Sequence, residues 1–178
     1  MVERVETPED YCEAWPLLRS EAWQHIDVDN GVVTPRVLHS VGHASHITRL
    51  QLYCHSDSTA THHDLAAALA PLKLLKSLDV QWVKLTYWQQ VSHVSRVSSP
   101  AISSCAKAVA SMAHLTSLSL RHLPLPRSAA VRIASLQQLT SLDLSCCLLD
   151  DYAVNVIALR LTGMRVCSVG TGCWSCRT

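Results

Sequence analysis

The chain has 178 residues, of which 48% are hydrophobic and only 16% are charged, and this composition argues against a disordered chain. The formal net charge of +1 indicates neither a strongly basic nucleic-acid binder nor an acidic tail. The longest run without a charged residue, 108–120, is 13 residues long, too short and too polar to span a bilayer.

The charges divide the chain into two segments. Residues 1–29 contain eight acidic residues and two arginines, a balance of −6, whereas residues 30–178 carry +7. Apolar residues between positions 11 and 26 suit one or two short helices. We therefore interpret residues 1–43 as an acidic helical segment that caps a repeat array. The start lacks the features of a signal peptide, so the eight cysteines are expected to be reduced thiols in the cytoplasm.

One motif recurs along the rest of the chain. Residues 47–52 read Ile-Thr-Arg-Leu-Gln-Leu, and similar motifs start at Leu75, Leu115, Leu139 and, more weakly, Met164. The starts are separated by 28, 40, 24 and 25 residues. Alternate residues of a strand face the same side, so the last two apolar residues of each motif are predicted to be buried.

The segments between the motifs have apolar residues at helical spacing, around 65–70, 108–112, 130–134 and 154–159. One strand and one helix cannot bury their apolar faces alone, but stacked units can. The pattern predicts an α/β solenoid, with a short curved parallel sheet on the concave side and helices on the convex side. The array is predicted to cover 44–178 as four to five repeats. The 40-residue step predicts an insertion within 86–106.

The fourth motif carries the most specific pattern. Five residues match the spacing LxxLxLxxCxL without a gap: Leu139, Leu142, Leu144, Cys147 and Leu149. Asp150 or Asp151 is expected to accept hydrogen bonds at the start of the following helix. Over about residues 44–170 the chain resembles leucine-rich-repeat proteins of the cysteine-containing and ribonuclease-inhibitor-like classes, which occur in F-box-type receptors. The resemblance implies a protein-interaction module. A ubiquitin-ligase substrate receptor and a cytoskeletal or ciliary scaffold are two specialised forms of it.

The repeat register also predicts which strand residues face the solvent on the concave side. We expect a partner protein to bind there, through Arg49, Gln51, Tyr53, Asp79, Gln81, Trp82, Ser119, Arg121, His122, Asp143 and Ser145. Trp82 is the central candidate, because exposed Trp, Tyr and Arg side chains are enriched in binding hot spots. No cofactor is predicted, and neither nucleic acid nor membrane is expected as a partner.

A thiol-redox or metal-binding protein is the alternative interpretation, because Cys173 and Cys176 form a CxxC motif. A redox dithiol needs a helix N-terminus to lower a thiol pKa, and a zinc site needs further ligands. His39, His43 and His46 would share one face of a helix. No acidic residue completes a His-Glu-x-x-His motif there, so we predict solvated or hydrogen-bonded histidines and no metal. No catalytic residue is assigned, and the chain is interpreted as non-enzymatic.

The fifth motif leaves room for a strand but not for a full helix before Thr178. Terminal repeats normally carry a polar cap, because an uncovered edge strand exposes backbone donors. Three accounts are open: Trp174 covers the core as a minimal cap, the edge pairs with another chain, or the sequence is part of a longer array. We expect one of the last two.

Overall fold

The computed structural model describes residues 3–4, 24–28, 33–55, 58–83, 100–164 and 166–168. Across these ranges the backbone forms seven strands: β1 (Glu3–Arg4), β2 (His25–Val28), β3 (Arg49–Cys54), β4 (Ser77–Trp82), β5 (Ser117–Arg121), β6 (Ser141–Asp143) and β7 (Val166–Ser168). The strands pair in parallel, in chain order, within one sheet.

Five helices lie in the same described ranges: α1 (Pro35–His43), α2 (His62–Leu69), α3 (Pro100–Ala110), α4 (Arg127–Ile133) and α5 (Asp151–Arg160). Consecutive helices contact each other and share one apolar core with the sheet. A parallel sheet in chain order, with a helix after each strand from β2 to β6, is the leucine-rich-repeat solenoid, so the predicted α/β fold class is confirmed. No helix in the described part of the chain is long and apolar enough to cross a membrane.

The inward residues of the strands form ladders through the core. The first inward position of four neighbouring strands is a leucine, and these residues pair in register: Leu50, Leu78, Leu118 and Leu142. The next inward position on β3, β4 and β5 is Leu52, Val80 and Leu120. All of these side chains are buried, as the alternation in the motif predicts, and burial of each stabilises the fold by about 1.5–3 kcal/mol.

Side chains satisfy free amides at three helix starts. At α1 the Thr34 hydroxyl accepts from the Val37 amide at 3.3 Å. At α2 the Thr61 hydroxyl accepts from the Asp64 amide, and the Asp64 carboxylate accepts from the Thr61 amide at 2.8 Å. This reciprocal pair is a capping box. At α5 the Asp150 carboxylate accepts from the Ala153 amide at 2.9 Å. Of the two acidic residues considered for this role, Asp150 is therefore the N-cap, and Asp151 is the first residue of the helix.

Gly42 lies inside α1, although glycine is unfavourable in a helix interior. A Cβ atom at this position would lie 3.3 Å from the Cα atom of Ala68 in α2. The absence of a side chain therefore allows α1 and α2 to approach closely, which accounts for the glycine at this point of the helix.

The sheet begins before residue 44, where the sequence analysis started the repeat array. β2 pairs in register with β3, and Ile26 and Val28 lie buried at its inward positions. α1 follows β2, so the chain from β2 to α1 forms a strand–helix unit like the later ones. The sheet and the helix layer thus extend to the N-terminal side of residue 44, and the division of the chain into a cap and an array stays a prediction. Residues 5–23 of the predicted acidic cap lie outside the described ranges.

The insertion predicted within 86–106 overlaps α3, which begins at Pro100. Ile102 and Ala106 are buried in the core, so residues 100–106 belong to the helix layer. Residues 84–99 lie outside the described ranges, and an insertion there stays a prediction.

Three residues that follow β5 and β6 have a left-handed backbone, with φ values of 60° at His122, 61° at Cys146 and 52° at Leu148. His122 and Cys146 hold equivalent positions, each two residues after the second inward leucine of its motif. Because L-amino acids disfavour this conformation, each such residue costs about 1–2 kcal/mol.

Leu148 offers a direct test of this strain, because 44% of the residue is exposed. We expect Leu148→Gly to be more stable than Leu148→Ala by about 0.5–1 kcal/mol, since glycine adopts a positive φ without the steric cost. Urea denaturation measures the free energy of unfolding. Leu159 in α5 is the matched control, where glycine should be less stable than alanine by about 1 kcal/mol. The same order at both positions would contradict the left-handed turn.

Candidate functional site

The strands present one row of side chains to the helices and the alternate row to the opposite side, which we call the open sheet face. Its residues on β3 to β6 are exposed or half-buried: Arg49, Gln51, Tyr53, Ser77, Asp79, Gln81, Ser117, Ser119, Arg121, Ser141 and Asp143. His122 and Ser145 are half-buried and follow β5 and β6. The residues predicted to bind a partner therefore lie together, with the exception of Trp82, and their role in binding stays a prediction.

Trp82 corrects the predicted binding surface. It is the last residue of β4, in register with Cys54 of β3, and only 3% of it is exposed. In the sequence the motif ends at Val80, and Gln81 and Trp82 are both expected to face outward. The strand instead continues, so Trp82 follows Leu78 and Val80 on the inward side. Its indole stacks on the His62 imidazole, with the ring centres 4.7 Å apart, and it belongs to the core.

An ion cluster lies at the centre of the open sheet face. Arg121 donates from Nη2 to both carboxylate oxygens of Asp79, at 3.0 and 3.2 Å. Its Nε atom lies 3.8 Å from Oδ2 of Asp143 on the other side. The side chains of Arg121, Asp79 and Asp143 are 35%, 29% and 33% exposed, so solvent screens each pair only in part. The cluster holds three charged groups in fixed positions across β4, β5 and β6.

Asp143 also organises the turn after β6. Its Oδ1 atom accepts from the backbone amide of Ser145 at 3.0 Å and from the Ser145 hydroxyl at 2.5 Å. The same carboxylate therefore connects the ion cluster to the loop that carries Ser145 and Cys146. Asx turns of this kind fix a loop without further secondary structure.

Two further contacts restrain side chains at the edge of the open sheet face. Gln81 donates from Nε2 to the Tyr53 hydroxyl at 3.3 Å, and the Tyr53 ring meets the His55 ring edge to face, with centres 4.5 Å apart.

Burial and the neighbouring Arg121 charge lower the pKa of His122. The His122 imidazole is therefore neutral at pH 7 and adds a polar group without charge.

Asp27 of β2 is a residue of this face that the sequence analysis missed. It pairs with Gln51, which pairs with Asp79, so it extends the central row of the face by one strand. The predicted start of the array at residue 44 leaves Asp27 outside the array. Residues 23–28, Trp-Gln-His-Ile-Asp-Val, have the same spacing of large apolar residues as the later motifs, and that signal identifies the strand.

Three of the four cysteines in the described ranges are packing residues, and the fourth, Cys146, is half-buried. Cys54, Cys105 and Cys147 are buried, and the Cys147 thiol donates to the Leu120 carbonyl at 2.7 Å. Burial raises the pKa of Cys105 and of Cys147 to about 12, so both thiols stay protonated and are poor nucleophiles. Cys173 and Cys176, on which the redox alternative rests, and Trp174, considered as a minimal cap, lie outside the described residues.

The histidines considered as metal ligands are only partly brought together. His39 and His43 lie one turn apart on α1, with their Nε2 atoms 3.1 Å apart. His46 comes after the end of the helix, at which Ala44 is the C-cap. Within the described ranges no group of three or more His, Cys, Asp or Glu side chains is placed to hold a metal ion.

Comparisons with known proteins give one structural similarity. No protein-family model and no curated protein matches this sequence. A search of solved structures finds an internalin from Listeria monocytogenes, with 15% sequence identity and a TM-score of 0.35. The match covers 88% of this chain and 56% of that one, so this chain spans little more than half the length of that structure.

Proposed function

We propose that this chain is a protein-interaction module that binds its partner through the open sheet face. The observation that carries the proposal is the ion cluster of Arg121 with Asp79 and Asp143. These charged side chains are already held in place before a partner binds. Binding therefore does not have to order them. Preorganisation of this kind reduces the entropy cost of binding.

The composition of the face supports the same proposal. Tyr53 and Arg121 are of residue types enriched in hot spots, and Gln51, Asp27 and Ser119 add hydrogen-bonding groups in the central row. The exposed large apolar residues of the described chain, Leu74, Leu148, Tyr152 and Leu159, lie outside this face. The partner is therefore expected to make mainly polar and charged contacts here.

The size of the face limits what it can bind. Strands β2 to β6 contain 24 residues, and a spacing of about 4.8 Å between strands with a rise of about 3.3 Å per residue gives a surface of roughly 380 Å². A standard interface buries about 800 Å² on each partner. The face thus suits a loop or an extended segment of the partner. A larger partner would also contact the loops after β5 and β6.

The partner is to be identified by pull-down with the full chain and mass spectrometry, and the site is then tested by calorimetry. We expect Arg121→Ala to weaken binding by more than about fivefold, corresponding to about 1 kcal/mol, because it removes a hot-spot side chain and releases two carboxylates. Arg132→Ala is the control, since Arg132 is exposed on α4 in the helix layer. Unchanged affinity in a folded Arg121→Ala variant would show that the partner binds another surface of the chain.

The identity of the partner also separates the finer proposals. A substrate receptor should enrich ubiquitin-ligase subunits together with one substrate, whereas a scaffold should enrich cytoskeletal or ciliary proteins. Both proposals place the chain in the cytoplasm. Recovery of neither class would remove both forms and leave the general interaction module.

A further inference from the structure

Two imidazole nitrogens lie side by side on α1, away from the open sheet face. His39 and His43 are four residues apart, so they share one face of the helix. Their Nε2 atoms are 3.1 Å apart, and the two rings meet edge to face, with centres 4.6 Å apart. Both residues are exposed, so a ligand can reach the nitrogen pair from solvent.

We propose that His39 and His43 chelate a divalent transition metal ion of the zinc class through their two Nε2 atoms. Zinc binds imidazole nitrogen at about 2.0–2.1 Å, and two nitrogens at that distance and 3.1 Å from each other subtend about 100° at the metal. This angle lies between the octahedral and the tetrahedral values. Histidines at i and i+4 of a helix are a recurrent zinc-binding pair.

The metal would compete with a hydrogen bond between the two rings. In the metal-free protein one neutral imidazole can donate its Nε2 proton to the Nε2 atom of the other. Chelation requires a lone pair on both Nε2 atoms, so the donating ring changes to the tautomer with its proton on Nδ1. The proton moves from Nε2 to Nδ1 of the same ring, so this change of tautomer releases no proton. Water completes the coordination of the ion.

The surroundings favour a cation. His43 lies in the last turn of α1, where the helix dipole attracts positive charge. The pair lines a groove of about 340 Å³ between α1 and α2, to which Asp64 also contributes. Hydrogen bonding from Thr61 lowers the pKa of Asp64, so its carboxylate is ionised and adds negative charge. The groove-lining residues within the described chain include no lysine or arginine.

Zinc titration by calorimetry tests the site in the full chain carrying Cys173→Ser and Cys176→Ser, which removes the competing thiol pair. We expect one zinc ion per chain, and His39→Ala or His43→Ala should weaken its binding by at least about tenfold. His114→Ala is the control, because His114 is exposed and lies in another repeat. Circular dichroism verifies that each variant is folded.

Two results would overturn the proposal. The first is the absence of zinc binding by the Cys173→Ser and Cys176→Ser chain. The second is equal zinc affinity in His39→Ala and His114→Ala, which would assign the ion to other ligands. Because the site lies on the helix layer, neither result bears on partner binding at the open sheet face.

Discussion

Replacing Trp82 by alanine is expected to destabilise the fold by about 3–5 kcal/mol. The indole closes the inward row of β4, stacks on His62 and is almost fully buried. Its loss removes the largest side chain of this row and leaves a cavity between β4 and α2. Urea denaturation followed by far-ultraviolet circular dichroism measures the change in the free energy of unfolding.

Tyr152→Ala provides the comparison for this variant. Tyr152 is also aromatic, but 54% of it is exposed. The Cζ atom of Arg127 lies 5.3 Å from the centre of its ring. We expect its replacement to cost no more than about 1 kcal/mol. Equal denaturation midpoints for Trp82→Ala and Tyr152→Ala would indicate that Trp82 lies at the surface, as predicted from the sequence.

The error at Trp82 has a specific physical origin. The positions two residues after Val80, Leu120 and Leu144 are equivalent in the repeat, and they hold Trp82, His122 and Cys146. His122 and Cys146 turn into the left-handed region, whereas the ladder continues through Trp82, as the 2.7 Å hydrogen bond from the amide of residue 83 to the Cys54 carbonyl shows. Because β4 continues through Trp82, the alternation of the strand places this side chain on the inward face.

The interior of the repeats, in contrast, could be predicted from the motif. Leu118 and Leu142 are buried because a two-residue period leaves only one choice of face once the strand is identified. Cys147 also follows the pattern, since its position lies inside the turn after β6. For the N-cap of α5 the sequence leaves two candidates, Asp150 and Asp151, because either acidic side chain can accept hydrogen bonds from free amides at the helix start. The structure shows that Asp150 does so.

The candidate site was predictable in its location but not in its internal contacts. The register alone puts Asp79 and Asp143 in one row with Ser119 between them. The bridge by Arg121 depends on the rotamer of a long side chain, which reaches diagonally to a residue 42 positions earlier. No local pattern in the sequence determines which rotamer Arg121 adopts. A rotamer that points into solvent would be compatible with the same strand register.

Leu142→Ala is the second large effect that we expect, at about 2–5 kcal/mol. Leu142 is 0% exposed and pairs in register with Leu118 on one side and with β7 on the other. The variant therefore removes buried methyl groups from a rigid ladder that cannot collapse around the cavity. Leu159→Ala is the control, because Leu159 is 78% exposed, and its replacement should change the unfolding free energy by less than about 0.5 kcal/mol.

The position of Leu142 in the solenoid also predicts where the damage appears. Among the described elements the main contacts join neighbouring repeats, so most of the lost contacts belong to β5, β6 and the helices packed on them. Hydrogen exchange in Leu142→Ala should therefore accelerate most in β6, α4 and α5, and least in β2 and α1. Uniform acceleration along the whole chain would instead indicate that the repeats unfold as one cooperative unit. An unchanged denaturation midpoint would show that the strand register itself is wrong.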